Sequence, residues 1–470
     1  MVIERAEMTE EAGSHGLRRS LRRRHMQMIA LGGVIGAGLF VGSGVVIGAA
    51  GPAAVISFAL TGVLVVLVMR MLGEMAVAYP AVGGFYEYNR LALGELAGFL
   101  TGWMYWYFWV IVVALEAVAG AKILGTWWPS LAPWQYTLGL VSTFTVVNLL
   151  SVRSYGEAEF WFASIKVAAI VAFLCAGTAF ALGAWPGAYG GIAQLTAHGG
   201  FMPKGILPVL TGAVAATGFY FGAEIVTIAA AESVEPERAV AETTQSVIWR
   251  VLVFYVGSIF LVVAIVPWSD SARMAQPYVS VMEALQIPAA PTVMSIVVLT
   301  AVLSALNSGL FAASRMLMAL ARRADAPAAF ARLDSRGVPV AAILASTAFG
   351  YLTVIMSYVS PDRIFAFLVN SYGTVAIFVY VLIACAELKL RRRLEREAPE
   401  RLRVRMWGYP WLTWLSIIAM LAIVAAMGVI REQQLALLFG LLSVAVLLIA
   451  FFLRHRALLR FSAQRQGALR

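Results

Sequence analysis

Leu31–Gly44 reads LGGVIGAGLFVGSG. It is apolar enough to lie in a membrane, yet glycines at 32, 33, 36, 38, 42 and 44 interrupt it. A spanning helix must satisfy its own backbone groups, because lipid offers no partners. Glycine weakens a helix through its entropy cost. Two readings follow. Gly32 with Gly36, and Gly38 with Gly42, fit the small-xxx-small spacing of close helix packing. Alternatively, the helix breaks in mid-membrane, leaving free N–H groups on one side and free C=O groups on the other. Such a break survives only where it lines a cavity that something polar fills.

The rest of the chain selects between them. Of its 470 residues, 61% are hydrophobic and 13% charged, and the mean hydropathy is +0.83. That is the composition of a polytopic membrane protein. The net charge of +10 sits in short basic clusters between apolar runs, which points to membrane orientation and away from nucleic acid. Cys175 and Cys385 lie in apolar runs, and the four histidines lack ligand spacing, so neither disulfide nor metal is expected. No cofactor is expected, and GAGLFV does not match the GxGxxG phosphate motif.

Residues 1–25 form a polar tail ending in RRSLRRRH, followed by a first span that is read as retained. About twelve spans are predicted, at 26–49, 52–79, 97–124, 134–151, 158–182, 205–231, 244–267, 292–320, 338–358, 361–387, 411–430 and 434–453. They form one all-α integral membrane domain over 26–453, with a cytoplasmic tail at 454–470. With the N-terminus inside, the loops after spans eight and ten carry dense arginine, whereas the outer loops carry Lys204, Arg273, Arg363 and Arg431. This positive-inside asymmetry puts both termini in the cytoplasm. Glu387–Arg405 reads as a short solvated helix, and the outer loop with Pro277 and Pro288 as a lid.

Span six, TGAVAATGFYFGAEIVTIAAAES, carries Gly212, Gly218, Gly222 and then Glu224. Spans one and six lie five apart and cross in opposite directions. Paired interrupted spans are the sequence pointer to a transporter site at an inverted repeat. The pairing favours two broken helices, with repeats at about 26–182 and 205–387 and two helices appended at about 411–453.

The runs VIGAGLFVGSG, MRMLGEMAVAYPAVGGFYEY, GEAEFWFASIKV, FGAEIVTIAAAES, SVIWR and SRMLMALARRADAP resemble amino-acid permeases of the APC superfamily. GAEIVTIAAAES and RLRVRMWGYPWLTWL are similar to the bacterial GABA permease branch. The resemblance runs from about Leu17 to Phe452. It implies a LeuT-like 5+5 inverted repeat, proton symport, an amino-acid substrate and the bacterial inner membrane. Related permeases place a bulky aromatic where this chain has Gly218, so which of Phe219, Tyr220 and Phe221 caps the substrate stays open.

The substrate carboxylate is assigned to backbone N–H groups near Gly36, Ala37 and Gly38, where the second half of span one begins. The resemblance implies that carbonyls near Val34, Ile35 and Phe219–Gly222 accept from the ammonium. Phe108 and Trp109, with Tyr107, are candidate pocket rings, and Asn307, Asn370, Ser371 and Tyr372 further polar candidates. Glu116 is an intramembrane acid. It meets the distal ammonium of a longer substrate, carries a proton, or sits in a wet outer vestibule. Glu224 and Glu232 lie eight residues apart on similar faces; Glu224 is the proton-coupling candidate, and Glu232 is expected to pair with Arg315 or Arg322.

Lys166 is one of four lysines and lies about 13 Å in from the cytoplasmic end of its helix. It either snorkels and packs, or couples protons. In similar permeases a lysine on this helix fills the place where sodium-coupled relatives hold sodium. Carbonyls of Gly32 and Ile35, with Ser304 or Ser308, are its expected neighbours. The chain therefore reads as a transporter of a small amino acid, GABA or another ω-amino acid, and not as an enzyme. A permease for aromatic or cationic amino acids and a non-transporting membrane sensor are the alternatives.

Overall fold

The computed structural model describes residue 28 and residues 35–79, 84–150, 152–185, 192–222, 224–225, 227, 252–359 and 361–467. Among them the chain is helical and carries no strand. A π-helical turn at Gly38–Gly42 leads into α1 (Ser43–Ala50). Gly51, at φ +67°, interrupts the helix before α2 (Ala54–Ala78). Then come α3 (Phe85–Leu93), α4 (Glu95–Trp127), α5 (Pro133–Leu150), α6 (Val152–Ala181), the single turn α7 (Gln194–Ala197) and α8 (Ile206–Tyr220). A second π-helical turn at Val253–Gly257 opens α9 (Ser258–Ile265), followed by α10 (Ser271–Met274) and α11 (Pro277–Ala284). The chain ends with α12 (Ala290–Arg322), α13 (Val340–Val359), α14 (Pro361–Glu397), α15 (Trp411–Val429) and α16 (Gln434–Gly467).

Eight helices among the described residues are long and apolar enough to cross a membrane; Ile206–Tyr220 and Val253–Ile265 are shorter apolar helices. The core is a pair of 33-residue helices, α4 and α12. Each is about 50 Å long at 1.5 Å per residue, longer than a hydrocarbon core of about 30 Å. Small residues let them touch: a Cβ on Gly309 would stand 2.9 Å from the Trp109 ring. On the outside, α15 and α16 expose Ile418, Leu421, Val429, Leu438, Ile449 and Leu453. A continuous apolar face of this kind suits lipid.

The segment around Pro277 folds as α10 and α11. The Met274 carbonyl lies so close over Gly44 that a Cβ there would stand 1.8 Å from its oxygen. At the opposite end, Asp325 accepts from Tyr86 Oη at 2.7 Å and pairs with Arg90 and Arg454, joining α3, the end of α12 and α16. Arg323 makes a two-pronged contact with Glu87 at 2.9 and 3.0 Å. Burial pushes the Glu87 carboxyl above its ordinary range, and Arg323 pulls it back.

One expected boundary is corrected. Glu387–Arg405 is not a separate solvated helix, because α14 runs unbroken through to Glu397. Its inner face is buried at Glu387, Leu390, Arg391 and Leu394, and Arg391 meets Glu74 of α2 at 2.5 Å. The charge density of the stretch hid an amphipathic helix whose charges are partly paired inside the protein.

Candidate functional site

The start of the described part of span one and an interruption of span six face each other across the molecule. Ile35 and Gly36 are bent, and helical backbone begins at Ala37. Val34 and Gly32 lie outside the described residues. In span six, α8 ends at Tyr220, Phe221 is extended, and Gly222 takes φ +131°, a value that glycine adopts without strain. The interruption of span six is thus observed at Phe221–Gly222.

A small cavity lies between the two, lined by Gly36, Gly38, Trp109, Val112, Leu115, Glu116, Gly218, Phe219, Phe221 and Ala305. Phe219 lies against the glycines of the first helix. A Cβ on Gly38 would stand 2.6 Å from Phe219 Cδ1, and one on Gly42 2.6 Å from Cζ. The glycines thus serve close approach as well as the bend.

An ionisable side chain meets the backbone on each side of Gly36. The Ala37 N–H donates to both oxygens of Glu116, at 3.0 and 3.1 Å. Glu116 is 3% exposed, so the wet-vestibule reading falls. On the other side, Lys166 Nζ donates to the Ile35 carbonyl at 2.8 Å, as the sequence led one to expect. Its expected neighbour Ser304 instead donates to Glu159 at 2.6 Å. Glu159 is fully buried on α6, within electrostatic reach of Lys166.

Several expected contacts are occupied by the protein. The Ala37 N–H assigned to a substrate carboxylate holds Glu116. The Ile35 carbonyl assigned to an ammonium holds Lys166. The Phe219 carbonyl accepts from Tyr255 Oη at 2.7 Å, and the Gly222 carbonyl from Ile225 N at 3.1 Å. A break in a low-dielectric interior leaves groups too costly to leave bare, so the fold caps them.

Other candidates lie away from the cavity. Tyr220 stacks on Tyr255, with centroids 4.3 Å apart, and donates to the Phe58 carbonyl at 3.0 Å. Asn307 accepts from Asn148 at 2.9 Å on the side of α5. Phe108 packs on Phe221 with centroids 4.3 Å apart, behind the lining, and Tyr107 is half-buried outside it. Gly222 donates its N–H to Glu224 at 3.0 Å. The side chains of Asn370, Ser371 and Tyr372, and all of Glu232, lie outside the described residues, and Arg315 stacks on Phe311 at 4.3 Å.

Sequence reasoning passed over Tyr105 and Tyr380, both fully buried and packed on Phe221 with ring centroids 5.6 and 4.8 Å away. Tyr105 lies one helical turn before Trp109, a signal that was available. Tyr380 comes from a distant helix and gave none.

The family profile described as amino acid permease matches residues 25–465. The chain belongs to the amino acid permease family. It is 49% identical to the gamma-aminobutyric acid permease of Bacillus subtilis over 93% of both chains. It is 45% identical to that of Escherichia coli, over 94% of this chain and 95% of the relative. An aromatic amino acid transport protein of Corynebacterium glutamicum is 41% identical, over 88% and 90%. In fold, two crystal structures of an Eremococcus coleocola manganese transporter cover 92% of both chains, with TM-scores of 0.55 and 0.57 at 12% and 13% identity.

Proposed function

We propose that this protein carries a small amino acid, with GABA as principal substrate, across the bacterial inner membrane in symport with protons. It works by alternating access in a LeuT-like repeat of about twelve helices, with both termini cytoplasmic. The observation that carries the reading is Glu116 on the Ala37 N–H. A carboxylate already sits on the start of the helix, where backbone donors and dipole favour an anion. A substrate carboxylate is the same chemical group and takes that place by displacing Glu116. The displaced Glu116 then faces the far end of the substrate, where an ω-ammonium needs an acid. The GABA permease relatives, at 45–49% identity, support this substrate. An aromatic substrate, favoured by the Corynebacterium relative, would need more room among Trp109, Phe219 and Phe221.

Lys166 and Glu224 are the proton-coupling groups in this reading. Substrate at the helix start and a proton near its other end bias one two-state element, which is what coupling requires.

The test is Glu116→Gln, with binding of GABA and of an α-amino acid of equal size measured side by side. The proposal expects GABA to weaken at least about tenfold more than the α-amino acid, the loss of one charge-assisted contact. Equal weakening would assign Glu116 to the proton instead. Tighter binding of a bulky aromatic amino acid than of GABA by the wild type would give the substrate reading to the aromatic class.

A further inference from the structure

A second set of buried acids lies well away from the cavity, where α2, α14 and α15 come together. Glu74 of α2 is 1% exposed. Its Oε2 accepts from Arg391 Nη1 and from the Met406 N–H, both at 2.5 Å, while its Oε1 is buried without a hydrogen bond. Glu387 of α14 is fully buried, and neither of its oxygens is hydrogen-bonded. Thr413, in the first turn of α15, is fully buried with its Oγ1 unpartnered. The three form one cluster: Arg391, which holds Glu74, lies one helical turn beyond Glu387 on α14, the Glu74 charge acts on Glu387, and the Thr413 hydroxyl is a neighbour of Glu387.

The surrounding charges are engaged elsewhere. Arg391 also holds Glu395 at 2.8 Å and lies over the Tyr409 ring. Arg70 of α2 donates to the Arg405 carbonyl at 2.8 Å. Tyr409 donates to the Leu388 carbonyl at 3.2 Å, and Arg392 points outward, exposed. Among the described residues, Thr413 carries the donor beside Glu387, and neither Glu387 oxygen meets a hydrogen-bond partner at bonding geometry.

A buried carboxylate with both oxygens bare costs several kcal/mol. Three of the four bare atoms are carboxylate oxygens and the fourth is a hydroxyl with a single proton to donate, so the cluster is one donor short. A hard cation takes about six oxygen ligands; four are present, beside a guanidinium that repels it. One proton satisfies all four. Placed on Glu387, it is donated to Glu74 Oε1, and the Thr413 hydroxyl is donated to the other Glu387 oxygen.

We propose that Glu74 and Glu387 bind one proton between them, forming a proton site separate from the substrate cavity that ties α2 to α14 and α15. α2 is also joined to α8, through Ser57 to the Val209 carbonyl at 2.7 Å and Thr61 to the Ala213 carbonyl at 3.1 Å. The site therefore sets how firmly the helix pair α2–α8, which carries the span-six break, is held to the rest. Losing the proton leaves two carboxylates facing each other and loosens that hold. In the orientation proposed above, the site lies at the cytoplasmic end and responds to cytoplasmic pH. Its occupancy does not depend on which amino acid is carried.

The experiment is infrared spectroscopy of the full chain in lipid nanodiscs, with Glu387→Gln and Thr413→Val beside the wild type. The proposal expects a protonated carboxylic-acid carbonyl band at neutral pH that is lost in Glu387→Gln and shifted, not lost, in Thr413→Val. Bands of other acids cancel in the wild-type-minus-variant difference. The folded chain holds a proton that the unfolded chain releases, so wild-type stability should fall as pH rises above neutral. Glu387→Gln, which cannot lose a proton there, should give a flatter thermal midpoint against pH. A difference spectrum without that band would overturn the proposal, as would stabilisation of the wild type by sodium or potassium at fixed pH. Thr413→Val keeps the question open to measurement if Glu387→Gln does not fold: an unshifted carbonyl region there would also overturn it.

Discussion

Gly38 and Phe219 are in close contact at the candidate site, with 2.6 Å available where a methyl needs about 3.4 Å or more. Gly38→Ala should abolish substrate binding by forcing the ring into the cavity, and Phe219→Ala should remove part of the cavity wall. In the double variant the collision is gone, so binding should recover at least about tenfold over Gly38→Ala alone. That corresponds to a coupling of roughly 1.4 kcal/mol, within the range for residues in contact. Additive losses in a binding titration would mean that Phe219 is not what the glycine accommodates. Much of this site was readable from the residues. Glycine runs marked both interrupted segments, and the lysine in an apolar helix pointed at Ile35. What could not be read was who caps whom. Glu116 and Ala37 are 79 positions apart, and pairing a polar side chain with a freed backbone group depends on three-dimensional placement. Tyr255 on the Phe219 carbonyl escaped for the same reason.

At the scale of the element, α3 is the amphipathic piece between two long spans, and its buried Glu87 depends on Arg323. The folded carboxyl is held above its ordinary value of about 4.3. Its contribution to stability is therefore present at low pH and is lost as pH rises through the folded value. Arg323 limits that loss. Arg323→Ala should cost little near pH 4, where Glu87 is protonated folded or unfolded. The cost should grow to about 1 kcal/mol by pH 8, a charged hydrogen bond discounted because the Arg323 side chain is 36% exposed. Thermal unfolding against pH checks the sign; a cost that shrinks with rising pH would contradict the ion pair. Among the described residues, the positions of α4, α12, α13 and α15 followed hydropathy, because a span must be long and apolar whatever it packs on. The ends did not. α14 extends to Glu397 because one face of a charged stretch finds Glu74 and an apolar neighbour, which periodicity over a few residues did not reveal.

Across the whole molecule, the asymmetry of basic residues argues for cytoplasmic termini and an external α10–α11 segment. Reporter tags at both ends should be cytoplasmic, and a tag after Trp268 external; the reverse at Trp268 would overturn the assignment of spans. The repeat relating the two halves rests on the positions of the two interrupted segments, since no residue identity between the halves marked it. What joins these scales is the start of the first helix, held by Glu116 at Ala37 and by Lys166 at Ile35. If that helix couples substrate to protons, Lys166 is the group that locks it. The most direct measurement is accumulation of labelled GABA by proteoliposomes, with and without an inward proton gradient, for the wild type and Lys166→Ala, beside equilibrium GABA binding. The account predicts that the wild type concentrates GABA only with the gradient. Lys166→Ala should lose accumulation at least about tenfold while its binding falls much less. Gradient-driven accumulation by Lys166→Ala at the wild-type level would contradict it.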